Sequence, residues 1–225
     1  MPKKYINNIS LNYEIYGQGE PLILISGFSA DHTVWFPVID EFSKKYQVIV
    51  LDNRGSGQSD SPSQSYSVEQ MAEDVIGLCD ALGIASAHFI GNSMGGFIVQ
   101  TLSHLFPARV KSIVLCNTAT SAQVSGFYFY PEARLKLMKE NASKEALAQI
   151  DLCWCFSPQF LLQNDRLSEL LSMIGSNPFP MSIAGYEGQI AALKNFDSSG
   201  WIQNITARTL IISGDQDLIF STAVS

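Results

Sequence analysis

The sequence predicts an α/β fold: a mostly parallel, doubly wound sheet that opens with a β-hairpin and carries a helical insertion. Three observations lead there. Short unbroken apolar runs recur at residues 22–25, 48–51, 88–90, 113–115 and 209–212. Runs this short suit strands covered on both faces, the situation in a parallel sheet. Helical patterns fill the intervals, and strand–helix alternation builds right-handed βαβ crossovers. The stretch 118–199 breaks the rhythm and is too long for one crossover helix.

Two alternating stretches, 5–9 and 11–16, precede Gly17-Gln18-Gly19 and predict the hairpin. The clearest helix covers 67–82. Ser67 and Gln70 have capping-box spacing, while Val68, Met71, Val75, Leu78 and Leu82 form one apolar stripe. Gly83 supplies its stop. A second helix runs from about 93 to 105 and ends before Pro107. Region 118–199, punctuated by Pro131, Pro158, Pro178 and Pro180, reads as several helices rich in Leu and aromatics. It is expected to form a lid over one end of the sheet; the plainer alternative is that these helices only pad it. The domain division is then 1–117 for the first part of the core, 118–199 for the lid and 200–225 for the C-terminal part of the core.

A length of 225 residues fits one large domain or one domain with an insertion. Fourteen basic against 21 acidic residues give a net charge of −7, which argues against nucleic acid or an anionic membrane face as partner. With 46% hydrophobic and 16% charged residues the chain can bury a large core, which excludes disorder. No apolar run approaches the ~18 residues that span a bilayer, and the first eight residues lack the apolar segment of a secretory signal. Cys79, Cys116, Cys153 and Cys155 do not make a disulfide framework. The expectation is a soluble, reduced, cytoplasmic protein.

The most specific signal is Gly91-Asn92-Ser93-Met94-Gly95-Gly96. It follows a predicted strand and opens a predicted helix, the context that G-x-S-x-G requires. Glycines at 91 and 95 leave room for a sharp reversal that lifts the Ser93 hydroxyl out of the turn. The helix N-terminus then aims N–H groups at developing negative charge. A plain helix-capping serine after a Gly-rich turn is the alternative.

These residues give the chain a resemblance to the α/β-hydrolase fold, in its lid-bearing branch of small esterases, lactonases, C–C bond hydrolases and cofactor-free perhydrolases. Three further segments agree, in order. Ile25-Ser26-Gly27-Phe28 is similar to the oxyanion loop, residues 51–60 to the D-x-R-G-x-G-x-S turn, and residues 212–217 to the strand-end G-x-x-D. The resemblance implies Ser93 as nucleophile and the backbone N–H groups of Phe28 and Met94 as oxyanion hole. Gly27 would let its loop approach the substrate, although Ser26 stands where a His is common. Asp217 would be the acid that orients a catalytic His, with Asp215 the alternative. Asp52 and Arg54 would be a charged pair holding their turn. Asn92, Trp154 and Phe127 would touch substrate, the last two from aromatic segments 126–130 and 153–156; these aromatics would otherwise only pack helices together. No Arg or Lys cluster appears in those segments, so a small, largely apolar ester, lactone or thioester is expected. Cys153 and Cys155 lack the second ligand pair of a metal site, so neither metal nor cofactor is expected.

A serine hydroxyl needs a base to take its proton. The resemblance implies a His after one more strand, yet no His follows Asp217, and the chain has only His32, His88 and His104. His104 and His88 each lie about 16 Å from Ser93, along the helix and along the strand respectively. His32 follows the oxyanion loop and reads first as a packing or surface residue before Val34-Trp35, with a surrogate base at the site's mouth as the alternative. The expectation is therefore a C-terminally truncated hydrolase lacking its last strand and helix: a truncated frame, a fragment, or a shortened protein of low activity. Its bared sheet edge would favour self-association. Two functions follow: a serine hydrolase working through an acyl-enzyme on Ser93, or an impaired hydrolase-fold protein that binds a small molecule.

Overall fold

The computed structural model describes residues 2–124 and 129–223. In chain order its elements are β1 (Lys3–Ile6), β2 (Ile9–Tyr16), β3 (Glu20–Ile25), α1 (Phe36–Ser43), β4 (Tyr46–Leu51), α2 (Val68–Ala81), β5 (Ala87–Asn92), α3 (Met94–Leu105), β6 (Val110–Cys116), α4 (Phe129–Lys139), α5 (Lys144–Cys155), α6 (Pro158–Leu161), α7 (Asn164–Ser176), α8 (Ile183–Lys194) and β7 (Arg208–Ile212). The strands form one sheet in the order β1-β2-β4-β3-β5-β6-β7. β1 with β2, and β2 with β4, pair antiparallel; all other neighbours pair parallel. The expected mostly parallel α/β sheet is therefore the one observed.

The apolar runs are continuous because their residues alternate between two cores. Ile23, Ile25, Ile49, Leu51 and Phe89 pack with α2 and α3, whereas Leu22, Leu24, Val48, Val50 and Ile90 pack with Ile39 of α1. Each side chain so buried contributes about 1.5–3 kcal/mol. β7 departs from this expectation. All five of its residues are exposed, with Leu210, Ile211 and Ile212 at 56, 57 and 49%. An apolar run on an edge strand reads the same in sequence whether or not another element covers it.

α2 forms as its local signals dictate. Ser67 accepts from the Gln70 N–H while Gln70 reaches back to the Ser67 N–H, and Gly83 beyond the end takes φ +72°. The hairpin turns about two residues earlier than the alternation predicts. Asn7 and Asn8 adopt φ 47° and 66°, the left-handed pair that a two-residue hairpin loop needs.

Helices α4 to α8 all lie between β6 and β7 in the chain. They differ sharply in burial. α7 buries none of its residues, while α8 buries seven of twelve, among them Tyr186 and Gln189. Among the described residues no helix is long and apolar enough to cross a membrane.

Candidate active site

Chain order reverses around β3: the chain adds β4 on one side, then returns to add β5 on the other. The C-terminal ends of β3 and β5 thus flank a topological switch point, where parallel sheets open a crevice. Gly27 and Phe28 follow β3, and Ser93 follows β5. All three line a cavity of about 780 Å³.

Ser93 sits at φ 55°, ψ −120°, a conformation costly for a residue with a side chain. The turn around it is held from both sides. Its N–H donates to the Cys116 carbonyl at 2.9 Å, and its carbonyl accepts from Gly96 N–H at 2.8 Å and Thr118 Oγ1 at 2.9 Å. Its side chain makes no capping bond to α3, which removes the plain capping role. Glycine is obligatory next to it: a Cβ on Gly95 would lie 2.1 Å from the Ile25 carbonyl oxygen, and one on Gly91 2.2 Å from that of Gly95. A Cβ on Gly27 would lie 3.1 Å from the Ser93 Cβ, so that loop runs directly against the serine.

Two backbone amides near Ser93 in the fold have no acceptor among the described residues. Met94 is the first residue of α3, where an N–H has no partner within the helix. Among the described residues nothing accepts the N–H of Phe28. The loop carrying Phe28 is fixed by its neighbour: Ser26 Oγ donates to the Asp31 carbonyl and accepts from Trp35 Nε1, both at 3.0 Å, while the Ser26 carbonyl accepts from Asn53. A His at position 26 would not reproduce that tie.

Asn92, Trp154, Asp215 and Asp217 also line the cavity; Phe127, with 126 and 128, lies outside the described residues. Asp217 Oδ1 accepts the N–H groups of Ile219 and Phe220 at 2.8 Å, so one of its oxygens already closes a turn. Sequence reasoning missed Arg134 and Asp151. These line the cavity from α4 and α5 and are joined by two bonds of 2.7 and 3.0 Å, with the Tyr130 hydroxyl also on Asp151. The cavity lining thus combines apolar side chains with the Arg134–Asp151 ion pair and the further charged groups Asp31, Lys144, Asp215 and Asp217.

The three histidines lie elsewhere. His88 bonds to Ser112 and Glu20, and His104 stacks on Trp201 with ring centroids 4.6 Å apart. His32 is not at the mouth: it is buried, and its Nδ1 meets Asp52 Oδ1 at 2.7 Å. This also corrects the expected Asp52–Arg54 pair. Both are buried, but Arg54 binds Asp74 of α2 through Nε and Nη2 at 2.5 and 2.6 Å. Burial opposes ionisation of Asp52, yet hydrogen bonds from the His32 ring and from the Gln58 and His32 amides outweigh it and hold the carboxyl below its ordinary value.

Asp31, His32 and Asp52 bring potential metal-ligand atoms within 4.8 Å of one another. Their chemistry does not fit a cation. Asp31 is spent on Thr33 and Asn177, and Asp52 accepts from His32, Gln58 and Asn12. The cluster is a hydrogen-bonded brace.

Comparison with known proteins shows the family. The family described as alpha/beta hydrolase fold matches residues 20–225. 3-Oxoadipate enol-lactonase 2 of Acinetobacter baylyi is 32% identical over 96% of this chain and 79% of its own length. A protein of Azorhizobium caulinodans that bears a carbamate-hydrolase name, RutD, is 26% identical over 100% of this chain and 84% of its own. Among solved structures, the enol-lactonase of Burkholderia xenovorans superposes with a TM-score of 0.87 at 30% identity, covering 99% of this chain and 85% of that one.

Proposed function

The chain belongs to the α/β-hydrolase fold family and is an enzyme of hydrolase type, and from that premise we propose that it opens small, largely apolar esters, foremost lactones, through an acyl-enzyme on Ser93. One observation carries this reading: a serine held at φ 55°, ψ −120° at the start of α3 lines a cavity together with Gly27 and Phe28. Ser93 Oγ attacks the carbonyl carbon and gives its proton to a base. The carbonyl oxygen, now negative, is held by the N–H groups of Phe28 and Met94. The C–O bond then breaks, the alkoxide takes a proton, and water releases the acid from Ser93. Asp217 is the acid of the relay and Asn92 and Trp154 border the substrate. The apolar side chains of the lining and the enol-lactonase relatives support a lactone. In that setting helices α4 to α7 act as a lid, and the four unpaired cysteines fit a reducing compartment.

None of His32, His88 and His104 lines the cavity, and a site that works by oxyanion hole and binding alone keeps only a modest rate. The same observation favours a second reading, a binding module that retains the pocket without turnover. Self-association through β7 belongs to both, because its apolar face is exposed on an edge. A fluorophosphonate probe and a panel of lactones test the proposal. Ser93-dependent labelling and ring opening, both abolished in Ser93→Ala, support it. Tight lactone binding with no labelling selects the binding module instead.

A further inference from the structure

Gln189 is wholly buried on α8, far from Ser93 in sequence, and its amide is fully used. Its Oε1 accepts the Ser29 N–H at 2.9 Å; its Nε2 donates to the Arg54 carbonyl at 3.1 Å and to Ser56 Oγ at 2.8 Å. One side chain thus ties the oxyanion loop to the turn after β4. Ser29, the residue after Phe28, sits at φ 58°, in the left-handed region that favours glycine. The loop closes there as a turn, with the Ala30 N–H reaching the Gly27 carbonyl at 3.3 Å. Nothing about a serine prefers that conformation, and the Gln189 carbonyl is the acceptor that catches its amide.

The rest of α8 makes this contact rigid. One helical turn earlier, the buried ring of Tyr186 lies 4.6 Å from that of Phe28. Gly185 meets Gly55 so closely that a Cβ would stand 2.0 Å from the Gly55 carbonyl oxygen, and the Tyr66 hydroxyl shares its one proton between the Arg54 and Gly185 carbonyls, each 3.2 Å away. The helix cannot slide without breaking these contacts. We infer that Gln189 is a positioning residue: it holds Ser29 left-handed, and so aims the Phe28 amide at the oxygen that becomes negative on Ser93. This rests on the acyl-enzyme reading above.

The test is the kinetics of Ser93 phosphonylation by a fluorophosphonate, with inactivation rate and probe affinity resolved. Gln189→Met removes the acceptor at nearly constant volume. It is expected to lower the maximal inactivation rate about tenfold, less than outright removal of a hole donor, with probe affinity within about twofold. Adding Ser29→Gly, which adopts the left-handed conformation without help, restores most of that rate. Ser56→Ala removes one acceptor of the Gln189 Nε2 group and the contact to Met181 Sδ, keeps the Gln189 Oε1–Ser29 bond, and leaves the rate near that of the parent. Should Gln189→Met fail to fold, Gln189→Asn withdraws the same amide by one methylene and is read alongside Ser29→Gly in the same way. An unchanged rate in the Gln189 variant overturns the inference, and so does a loss that Ser29→Gly does not restore, which would make Gln189 a docking residue of α8. Labelling of Ser93→Ala at the parent rate would instead overturn the Ser93 reading itself.

Discussion

The imidazole of His32 meets the carboxylate of Asp52 at 2.7 Å in the interior, and the same Asp52 oxygen accepts the His32 backbone N–H at 2.8 Å. The pair joins the segment after the oxyanion loop to the turn after β4, and each partner alters the other's ionisation. Burial disfavours charge on His32, but Asp52, with Glu14 and Asp31 nearby, outweighs it and raises the imidazole above its ordinary 6.5.

A pH dependence of stability follows. A raised His contributes fully below pH 6.5 and loses its contribution as pH rises through the folded value. A depressed Asp contributes above its ordinary 3.8 and loses its contribution as pH falls through its folded value. Unfolding free energy, measured by urea titration from pH 3 to 9, is expected to peak between those limits. Asp52→Asn lowers the peak by about 2 kcal/mol, the worth of a hydrogen bond to a charged group, and flattens the alkaline limb.

Arg54 and Asp74 are both buried and joined by two hydrogen bonds. Arg54→Met alone leaves a buried carboxyl without its partner and is expected to cost about 3–5 kcal/mol. Adding Asp74→Leu recovers part of that loss. A double-mutant cycle in urea measures the coupling, and additive losses would refute it.

Ser93 holds a backbone conformation suited to glycine. Ser93→Gly is expected to stabilise the fold by about 1 kcal/mol through relief of that strain, while abolishing fluorophosphonate labelling. Calorimetry and gel fluorescence read the two effects on one sample.

Gly95→Ala acts in the opposite sense. The added methyl collides with the backbone at the end of β3, where no flexible side chain can yield. The helix must shift off the sheet, so both melting temperature and Ser93 labelling are expected to fall.

The exposed face of β7 predicts association that grows with protein concentration. Ile211→Lys, at a 57% exposed position, places a charge on the edge and is expected to leave a monomer by light scattering.

What the sequence made legible was local. The α2 cap, its apolar stripe and its glycine stop lie within one helix length, and the Ser93 turn is written in six consecutive residues. What it hid was contact between distant segments. Asp52 and Arg54 look like a pair because they are two apart, yet their partners are 20 residues away in opposite directions. A signal for one of them was present. Asp74 shares the apolar face of α2 with Met71, Val75 and Leu78, and a carboxylate there calls for a buried cation. Gln189 gave no such sign: its partners lie 160, 135 and 133 positions away, and a glutamine on a helix is ordinary.

The Gly55–Gly185 approach bears on how such proteins can be recombined. Backbone packed on backbone leaves no side chain to adjust, so a graft that replaces α4 to α7 and stops before Ser182 would exchange the cavity walls while keeping the native seat of α8. A graft that also carries α8 would import a foreign fit at a joint where even a methyl group has no room.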